Sequence, residues 1–256
     1  MRVEQSRRFH DLSQQPTGLL IPFYVYPANV HANETYNGLI QLKQNHPRVP
    51  VWVILNPATG PGKQTDANYT KAIDRLRGAG IVVLGYVSTE YGRRSTADVQ
   101  RDLDAWRTMY PKVHGVFFDE MQYDDTAAAA ARQKQFRGLA AARGFWPTVA
   151  NPGAPTPERF FADEVADVIV IHEGTDYPTE EVLKGDYFGG NADYPPWARA
   201  ALIHSRPTFE PEQFALVKKH TRWVYVTDDI LRDPKNDNPW DRSSTYLEQL
   251  FVELER

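Results

Sequence analysis

The sequence predicts an α/β fold, a (β/α)₈ TIM-type barrel of parallel strands with outer helices. Eight short apolar runs of strand character recur at a spacing of roughly 30 residues, which is typical of βα units. Segments of helical periodicity lie between most of these runs. The length of 256 residues is usual for one such barrel. Together the three observations favour a closed barrel.

The predicted strands are nearly continuous runs of β-branched, aliphatic and aromatic residues. Parallel strands that are covered by helices have this composition, because both of their faces are buried. The fifth run is the weakest of the eight. In chain order the runs are Leu19–Val25, Val51–Leu55, Ile81–Val87, Gly115–Phe118, Pro147–Ala150, Val168–Ile171, Ala200–Ile203 and Trp223–Val226.

The predicted helices carry apolar residues at helical spacing and are bounded by capping or glycine signals. We expect Ser95 to cap the second of them, and the pair Ser243 and Ser244 to cap the last. The segment Pro178–Trp197 is rich in Gly, Pro, Asp and Tyr and predicts a long loop with at most a short helix. The helices are Asp66–Arg77, Ser95–Tyr110, Asp125–Arg143, Glu210–Lys219 and Ser243–Leu254.

The chain is expected to form one barrel domain over residues 18–256, after a polar N-terminal extension at residues 1–17. An open doubly wound sheet is the alternative architecture. It is disfavoured because the first strand is followed by Tyr26-Pro27-Ala28, which lacks the glycines of a phosphate-binding turn.

Composition and charge exclude several classes of function. A net charge of -4 provides no broad basic surface for nucleic acid, and no apolar run approaches the roughly 20 residues of a membrane helix. The absence of cysteine excludes disulfides and thiolate chemistry. The polar first ten residues do not resemble a signal peptide, so we expect a cytoplasmic protein or an exported one without its leader. We also expect a monomer.

Polar or aromatic side chains follow nearly every predicted strand at its carboxyl end, where barrels of this class carry their active sites. Taken singly, Asn56, Asn151 and Asp228 fit turn formers better than ligand-binding groups. His172 and His204 fit structural histidines equally well. The complete ring of groups nevertheless favours a binding site. The candidate substrate-binding residues are Tyr24, Tyr26, Asn56, Tyr86, Asn151, His172, His204 and Asp228.

Three carboxylates are the candidate catalytic groups. Asp119 and Glu120 directly follow the fourth apolar run, and Glu173 follows the sixth. Side chains alternate along a strand, so we expect one acid of the doublet to face the barrel mouth and the other to support it or lean over the loop. Glycoside hydrolysis needs two such groups, separated by about 5 Å in retaining enzymes and about 6.5–9.5 Å in inverting ones.

A hydrolytic metal site is the competing interpretation of these residues. Asp119, Glu173, His172 and His204 are all of types that bind metals. No His-x-His or His-Glu-x-x-His spacing supports such a site. We therefore expect no metal and no cofactor.

Several segments resemble the spherulin-4 family, also called spherulation-specific family 4. They are LLIPFYVYP, VWVILNPATGPG, VLGYVSTEYGRR, GVFFDE and ANPG, and the resemblance extends from about residue 18 through the last helix. The resemblance implies a (β/α)₈ glycoside hydrolase that acts on galactosaminogalactan, an α-1,4-linked polymer of galactose and N-acetylgalactosamine that is partly deacetylated. The acidic triad of the family falls on Asp119, Glu120 and Glu173.

From this resemblance we expect Asp119 to be the nucleophile or charge stabiliser and Glu173 the general acid/base. Glu120 would hydrogen-bond one of them or the sugar. Three alternatives remain at this point: a hydrolase of another amino-sugar polymer, a non-catalytic glycan-binding or sporulation-associated structural barrel, and a metal-dependent hydrolase. The expected partner is a polysaccharide or oligosaccharide.

Overall fold

The strands form a closed barrel, as the sequence predicts. The computed structural model describes residues 11–29, 31, 33–185, 193–231 and 238–256. Each strand pairs in parallel with its neighbours in chain order, and the eighth strand pairs with the first. The strands are β1 (Gly18–Pro22), β2 (Val51–Leu55), β3 (Val82–Ser88), β4 (Gly115–Asp119), β5 (Thr148–Ala150), β6 (Val168–Gly174), β7 (Arg199–Ile203) and β8 (Trp223–Val226).

Helices of the described residues follow the strands around the outside of the barrel. They are α1 (Glu34–Asn45), α2 (Ala67–Gly78), α3 (Thr96–Met109), α4 (Ala127–Ala142), α5 (Glu158–Ala162), α6 (Glu180–Lys184), α7 (Pro211–His220) and α8 (Leu247–Leu254). Four of the five predicted helices begin and end within two residues of the observed bounds. Within the described ranges, no helix has both the length and the apolar character needed to cross a membrane.

The predicted start of the last helix is wrong by four residues, and Ser243 and Ser244 do not cap it. The amide of Ser244 donates to the hydroxyl of Tyr225 at 3.0 Å, and the amide of Thr245 donates to Oδ1 of Asp228 at 2.9 Å. These bonds hold the segment in a turn against β8. The helix therefore begins only at Leu247.

Helix α1 was not among the predicted helices, although its start has a clear capping signal. The side chain of Asn33 accepts hydrogen bonds from the amides of Thr35 and Tyr36, which satisfies two donors of the first helical turn. Glu34 places a negative charge in that turn, where the helix dipole favours it.

The barrel interior is filled by side chains rather than open. The rings of Trp52 and Trp223 stack across it, with centroids 3.6 Å apart and planes inclined by 26°. Phe117 and Tyr86 lie beside each other further along, with centroids 6.2 Å apart. A packed interior leaves the carboxyl ends of the strands as the place for polar groups.

Two predicted segments lie partly outside the described residues. The predicted N-terminal extension, residues 1–17, is described from residue 11, and Leu12 within it is fully buried. The predicted loop Pro178–Trp197 contains the short helix α6, and its residues 186–192 lie outside the described part of the chain.

Candidate active site

One asparagine joins two of the three candidate carboxylates. Nδ2 of Asn151, which follows β5, donates to Oδ1 of Asp119 at 2.8 Å and to Oε2 of Glu173 at 2.6 Å. These two carboxylate oxygens are therefore no farther apart than about 5.4 Å, the length of the two hydrogen bonds laid end to end. Two stretches of chain that are distant in sequence thus meet at one end of the barrel.

The asparagine amide is itself fixed in place. Asn151 is only 3% exposed, and its backbone amide donates to the carbonyl of Phe118 at 2.8 Å. Its carbonyl accepts from the amide of Met121 at 2.8 Å, and its Oδ1 accepts from the amide of Gly153 at 3.1 Å. Because every polar group of Asn151 is bonded, the side chain cannot rotate without breaking several contacts.

Asp119 ends β4 and is held on its other oxygen by a tyrosine. The hydroxyl of Tyr86 donates to Oδ2 of Asp119 at 2.8 Å. Burial raises the pKa of Asp119 above its usual value, and the negative charge of Glu120 adds to this rise. Hydrogen bonds from Tyr86, from the Glu120 amide and from Asn151 oppose it. Asp119 is therefore a partly desolvated carboxylate with both oxygens oriented.

The side chain of Glu120 lies on the same side of β3 as that of Asp119. Alternation of side chains along β4 would have placed the two on opposite faces. Oε2 of Glu120 accepts a 2.5 Å hydrogen bond from the hydroxyl of Ser88, and Ser88 is two residues beyond Tyr86 on one face of β3. The reason is a left-handed backbone at Glu120, with φ 54°. Such a conformation costs a non-glycine residue about 1–2 kcal/mol, and it turns the side chain back toward the mouth.

The left-handed turn at Glu120 is stabilised by the neighbouring loop. The carbonyl of Glu120 accepts from the hydroxyl of Thr89 and from the amide of Tyr91, both at 2.7 Å. The carbonyl of Asp119 accepts from the amide of Thr89 at 2.9 Å. These three bonds offset the strained backbone and fix the position of both acids.

A β-bulge directs Glu173 into the barrel. Val170 pairs with Ala200, whereas His172 pairs with Ala201, so Ile171 is an extra residue in β6. One extra residue reverses the facing of every side chain beyond it. Without the bulge, His172 would face inward and Glu173 outward.

The pKa of the Glu173 carboxyl is strongly raised. Burial raises its pKa to about 7, with a further contribution from the negative charge of Asp119. Hydrogen bonds from Asn151 and from the indole of Trp240 oppose the rise. Near neutral pH the protonated and ionised forms are therefore both populated, which a group that donates and later accepts a proton requires.

Two aromatic side chains complete this part of the site. Tyr24 lies edge-on to Tyr86, with centroids 5.9 Å apart, and its amide donates to the carbonyl of Trp240 at 3.1 Å. Burial, together with the charge of Asp119, raises the pKa of the Tyr24 phenol well above 10, so the phenol stays neutral. The ring of Trp240 also contacts His204 edge-on, with centroids 5.5 Å apart.

Ser88 and Trp240 also belong to this site, although neither was among the candidate site residues. Ser88 ends β3, and only the structure pairs it with Glu120. Trp240 follows β8 in a polar segment, where an isolated tryptophan after Asn238 and Pro239 was the available signal. Neither residue type is specific enough on its own to indicate a role.

Four candidate binding residues have other contacts. Tyr26 is 51% exposed on the rim and donates to Asp66 at 3.0 Å. Oδ1 of Asn56 accepts from the amide of Gly60 at 2.9 Å and so caps a loop. Nε2 of His172 lies 2.9 Å from the carbonyl of Asp176, on the face of β6 opposite to Glu173.

Asp228 is the fourth of these, and it holds the segment that leads to α8. Burial tends to raise its pKa, but the amide of Thr245 and the guanidinium of Arg242 outweigh burial and lower it. Arg242 lies 3.0 Å from Oδ2 of Asp228. The structure thus brings together Asp119, Glu120, Glu173, Asn151, Tyr86 and Tyr24, and His204 contacts Trp240.

Within the described ranges, no three His, Cys, Asp or Glu side chains form a group that could hold a metal ion. The three acids are instead engaged by neutral donors: a phenol, a serine hydroxyl and an asparagine amide.

Comparison with known proteins places the chain in a family. The sequence profile of spherulation-specific family 4 matches residues 18–254. Spherulin-4 of Physarum polycephalum is 31% identical over 170 residues, which cover 63% of this chain and 46% of that protein. This chain therefore matches about half the length of that relative.

Solved structures extend the comparison to the fold. Sph3 of Aspergillus clavatus, in complex with GalNAc, is similar with a TM-score of 0.80 and 25% identity, over 95% of this chain and 99% of that one. A β-mannanase of Streptomyces thermolilacinus has a TM-score of 0.54 at 13% identity, over 94% and 88% of the two chains. The second likeness concerns the barrel alone. The family match over nearly the whole chain identifies this protein as a member of spherulation-specific family 4.

Proposed function

We propose that the protein is a glycoside hydrolase that cuts within an α-1,4-linked polysaccharide containing N-acetylgalactosamine or galactosamine. The observation that carries the proposal is the closeness of Asp119 and Glu173. The two oxygens that accept hydrogen bonds from Asn151 lie within about 5.4 Å of each other. The likeness to Sph3, which was solved with GalNAc, supports the choice of sugar.

The separation favours a retaining mechanism, since retaining enzymes hold their two carboxyl groups about 5–5.5 Å apart. Glu173, with a pKa of about 7, donates its proton to the glycosidic oxygen as the bond from the anomeric carbon breaks. Asp119 attacks that carbon and forms a glycosyl ester. Ionised Glu173 then takes a proton from water, and the resulting hydroxide displaces Asp119 and restores both groups.

Glu120 and Tyr86 tune one member of this pair, Asp119. The charge of Glu120 helps to raise the pKa of Asp119, and the phenol of Tyr86 orients Asp119. Asn151 gives one hydrogen to each member of the pair, which fixes their separation. In this account Asn151 is a positioning residue as well as part of the lining of the sugar site.

The pH dependence of kcat/KM should reflect the ionisation of Asp119 and Glu173. Activity should fall as pH rises through about 7, because Glu173 loses the proton that it must donate. It should fall at the acid end as Asp119 becomes protonated, at a pH above the usual range for aspartate. Asn151→Ala removes a hydrogen bond that lowers the pKa of Glu173, so the alkaline limb of the profile should shift to higher pH.

Asn151→Ala should also lower kcat about 10- to 100-fold, because the reacting groups lose their alignment. The control is Asn45→Ala, at an exposed asparagine at the end of α1, which should leave the profile unchanged. A pH–rate series on the three proteins measures both effects. An alkaline limb that stays in place, or moves downward, in Asn151→Ala would contradict the assigned role.

A substrate panel tests the function itself. Purified protein is incubated with galactosaminogalactan in acetylated and deacetylated forms and with an unrelated β-linked mannan. New reducing ends and product masses are then measured. We expect oligosaccharides of mixed length from the galactosamine-containing polymers only. Saturable binding without new reducing ends would instead support a non-catalytic glycan-binding barrel, and loss of cleavage with a chelator would support a metal-dependent hydrolase.

A further inference from the structure

Two exposed tyrosines lie at the edge of the carboxylate site. Tyr91, between β3 and α3, is 42% exposed, and Tyr123, between β4 and α4, is 44% exposed. Their rings meet edge to face, with centroids 6.2 Å apart and planes inclined by 86°. We call this pair the aromatic corner.

The aromatic corner has a rigid base. The amide of Tyr91 donates to the carbonyl of Glu120 at 2.7 Å, which ties the first loop to the second. Gly92, with φ 82°, lies directly against Gln122, and a methyl group on Gly92 would lie 2.9 Å from Cδ of that side chain. A side chain on Gly92 would therefore be strained by its left-handed φ and would have to displace Gln122. The two loops therefore form one interlocked unit.

The aromatic corner adjoins the reacting groups. The Cβ position of Gly153 lies 3.9 Å from the hydroxyl of Tyr91 and 3.8 Å from Oε2 of Glu173, so the two groups flank the same point. Burial raises the pKa of Tyr91, and the charges of Glu120, Asp119 and Glu173 raise it further. Tyr91 thus stands within the field of all three acids as a neutral phenol. Tyr123 adjoins this point through its contact with the ring of Tyr91.

We propose that the aromatic corner is a sugar subsite that binds one pyranose ring of the polymer next to the point of cleavage. Aromatic faces pack well against the C–H face of a sugar, and convergent polar groups set its orientation. With the two rings perpendicular, one can cover the face of a pyranose while the other closes its side. The phenol groups then reach the sugar hydroxyls. This proposal rests on the proposed function, from which it takes the class of sugar.

Binding to an inactive parent tests the aromatic corner separately from catalysis. Glu173→Gln is the parent, and calorimetry measures its Kd for an α-1,4-linked N-acetylgalactosamine hexasaccharide. Adding Tyr123→Ala should weaken binding about tenfold, and Tyr91→Ala at least as much, because each removes an aromatic contact surface. Tyr123→Phe keeps the ring and should bind within about twofold of the parent. Val252→Ala, at an exposed position on α8, controls for loss of any surface side chain.

Thermal melts accompany each titration. If Tyr91→Ala melts early because Tyr91 bonds to the neighbouring loop, Tyr123→Ala carries the test alone. If the wild type cleaves the polymer but the folded alanine variants bind with unchanged Kd, the aromatic corner is not a subsite and the proposed function stands. If the alanine variants bind more weakly but the wild type does not cleave the polymer, the aromatic corner is a sugar subsite and the proposed function is wrong. Absence of both cleavage and binding overturns both.

Discussion

Asp119→Asn and Glu173→Gln should each lower kcat by about 10³-fold or more while the protein remains folded. Loss of a positioned general acid alone removes about 10²–10⁴-fold of rate, and loss of the nucleophile removes the covalent route. The two losses should differ in kind. An activated aryl glycoside, whose leaving group needs no proton, should restore the first step in Glu173→Gln, seen as a burst of phenol release before slow hydrolysis of the glycosyl enzyme. Asp119→Asn should show no burst.

The stability of Glu173→Gln distinguishes a catalytic acid from a structural one. The folded-state pKa of Glu173 is about 7, against 4.5 for the free side chain, so folding disfavours the charged form. This group therefore contributes its full stability below about pH 4.5, and the contribution is lost as pH rises toward 7. At pH 8 the neutral amide should raise the free energy of unfolding by about 2–3 kcal/mol.

Denaturant unfolding at pH 4 and pH 8 measures this difference, which should nearly vanish at pH 4. Glu181→Gln, at an exposed glutamate of α6, is the matched control and should change neither activity nor stability. If Glu173→Gln kept full activity, Glu173 would not be the general acid. A stability at pH 8 no higher than that of the wild type would contradict the raised pKa of Glu173.

Gly115→Ala should destabilise the protein by about 3 kcal/mol or more, or prevent folding. Gly115 begins β4, and a Cβ there would collide with the backbone of Pro147 and lie 2.8 Å from Cδ2 of Leu84. The colliding atoms belong to the chain just before β5, so no side-chain rotation relieves the clash. The same strand ends at Asp119, and any shift of β4 would displace the site.

Gly138→Ala is the matched glycine control. Gly138 lies in α4, is exposed, and has no atom within 4 Å of its Cβ position. Alanine should therefore raise the free energy of unfolding by about 0.5–1 kcal/mol through its better helix propensity. Equal unfolding midpoints for wild type and Gly115→Ala would show that the barrel relaxes at this contact, contrary to our expectation.

Much of the fold could be predicted because a parallel barrel leaves a strong pattern in sequence. Strands such as Val51–Leu55 and Trp223–Val226 are buried on both faces, so they appear as continuous apolar runs with the predicted bounds. The polar residue after each run marks the mouth of the barrel. Asp119 and Glu173 were located in this way, and the structure brings them together.

Side-chain direction could not be predicted, because it depends on local backbone irregularities. Alternation alone would have placed His172 inside and Glu173 outside, and only the extra residue at Ile171 reverses them. The left-handed turn at Glu120 likewise has no glycine to reveal it. Both irregularities lie at the site and reorient an acid, as strained or bulged positions near active sites often do.

The contacts that position Asp119 and Glu173 could not be predicted from the sequence either. Asn151 fits a turn former by type, and nothing in its neighbours indicates that its amide bonds to acids from β4 and β6. Trp240 lies far along the chain from Glu173 and reaches it only through closure of the barrel. Such pairings depend on the tertiary fold, since the residues share no local periodicity.

The anomeric form of the first product tests the central claim most directly. Wild-type protein is mixed with the α-linked N-acetylgalactosamine hexasaccharide, and proton NMR follows the newly formed reducing end during the first minutes. Carboxylate oxygens within about 5.4 Å predict retention, so the α-anomer should appear first and the β-anomer only later by mutarotation. Initial formation of the β-anomer would mean that water attacks the sugar directly, and would contradict a nucleophilic Asp119.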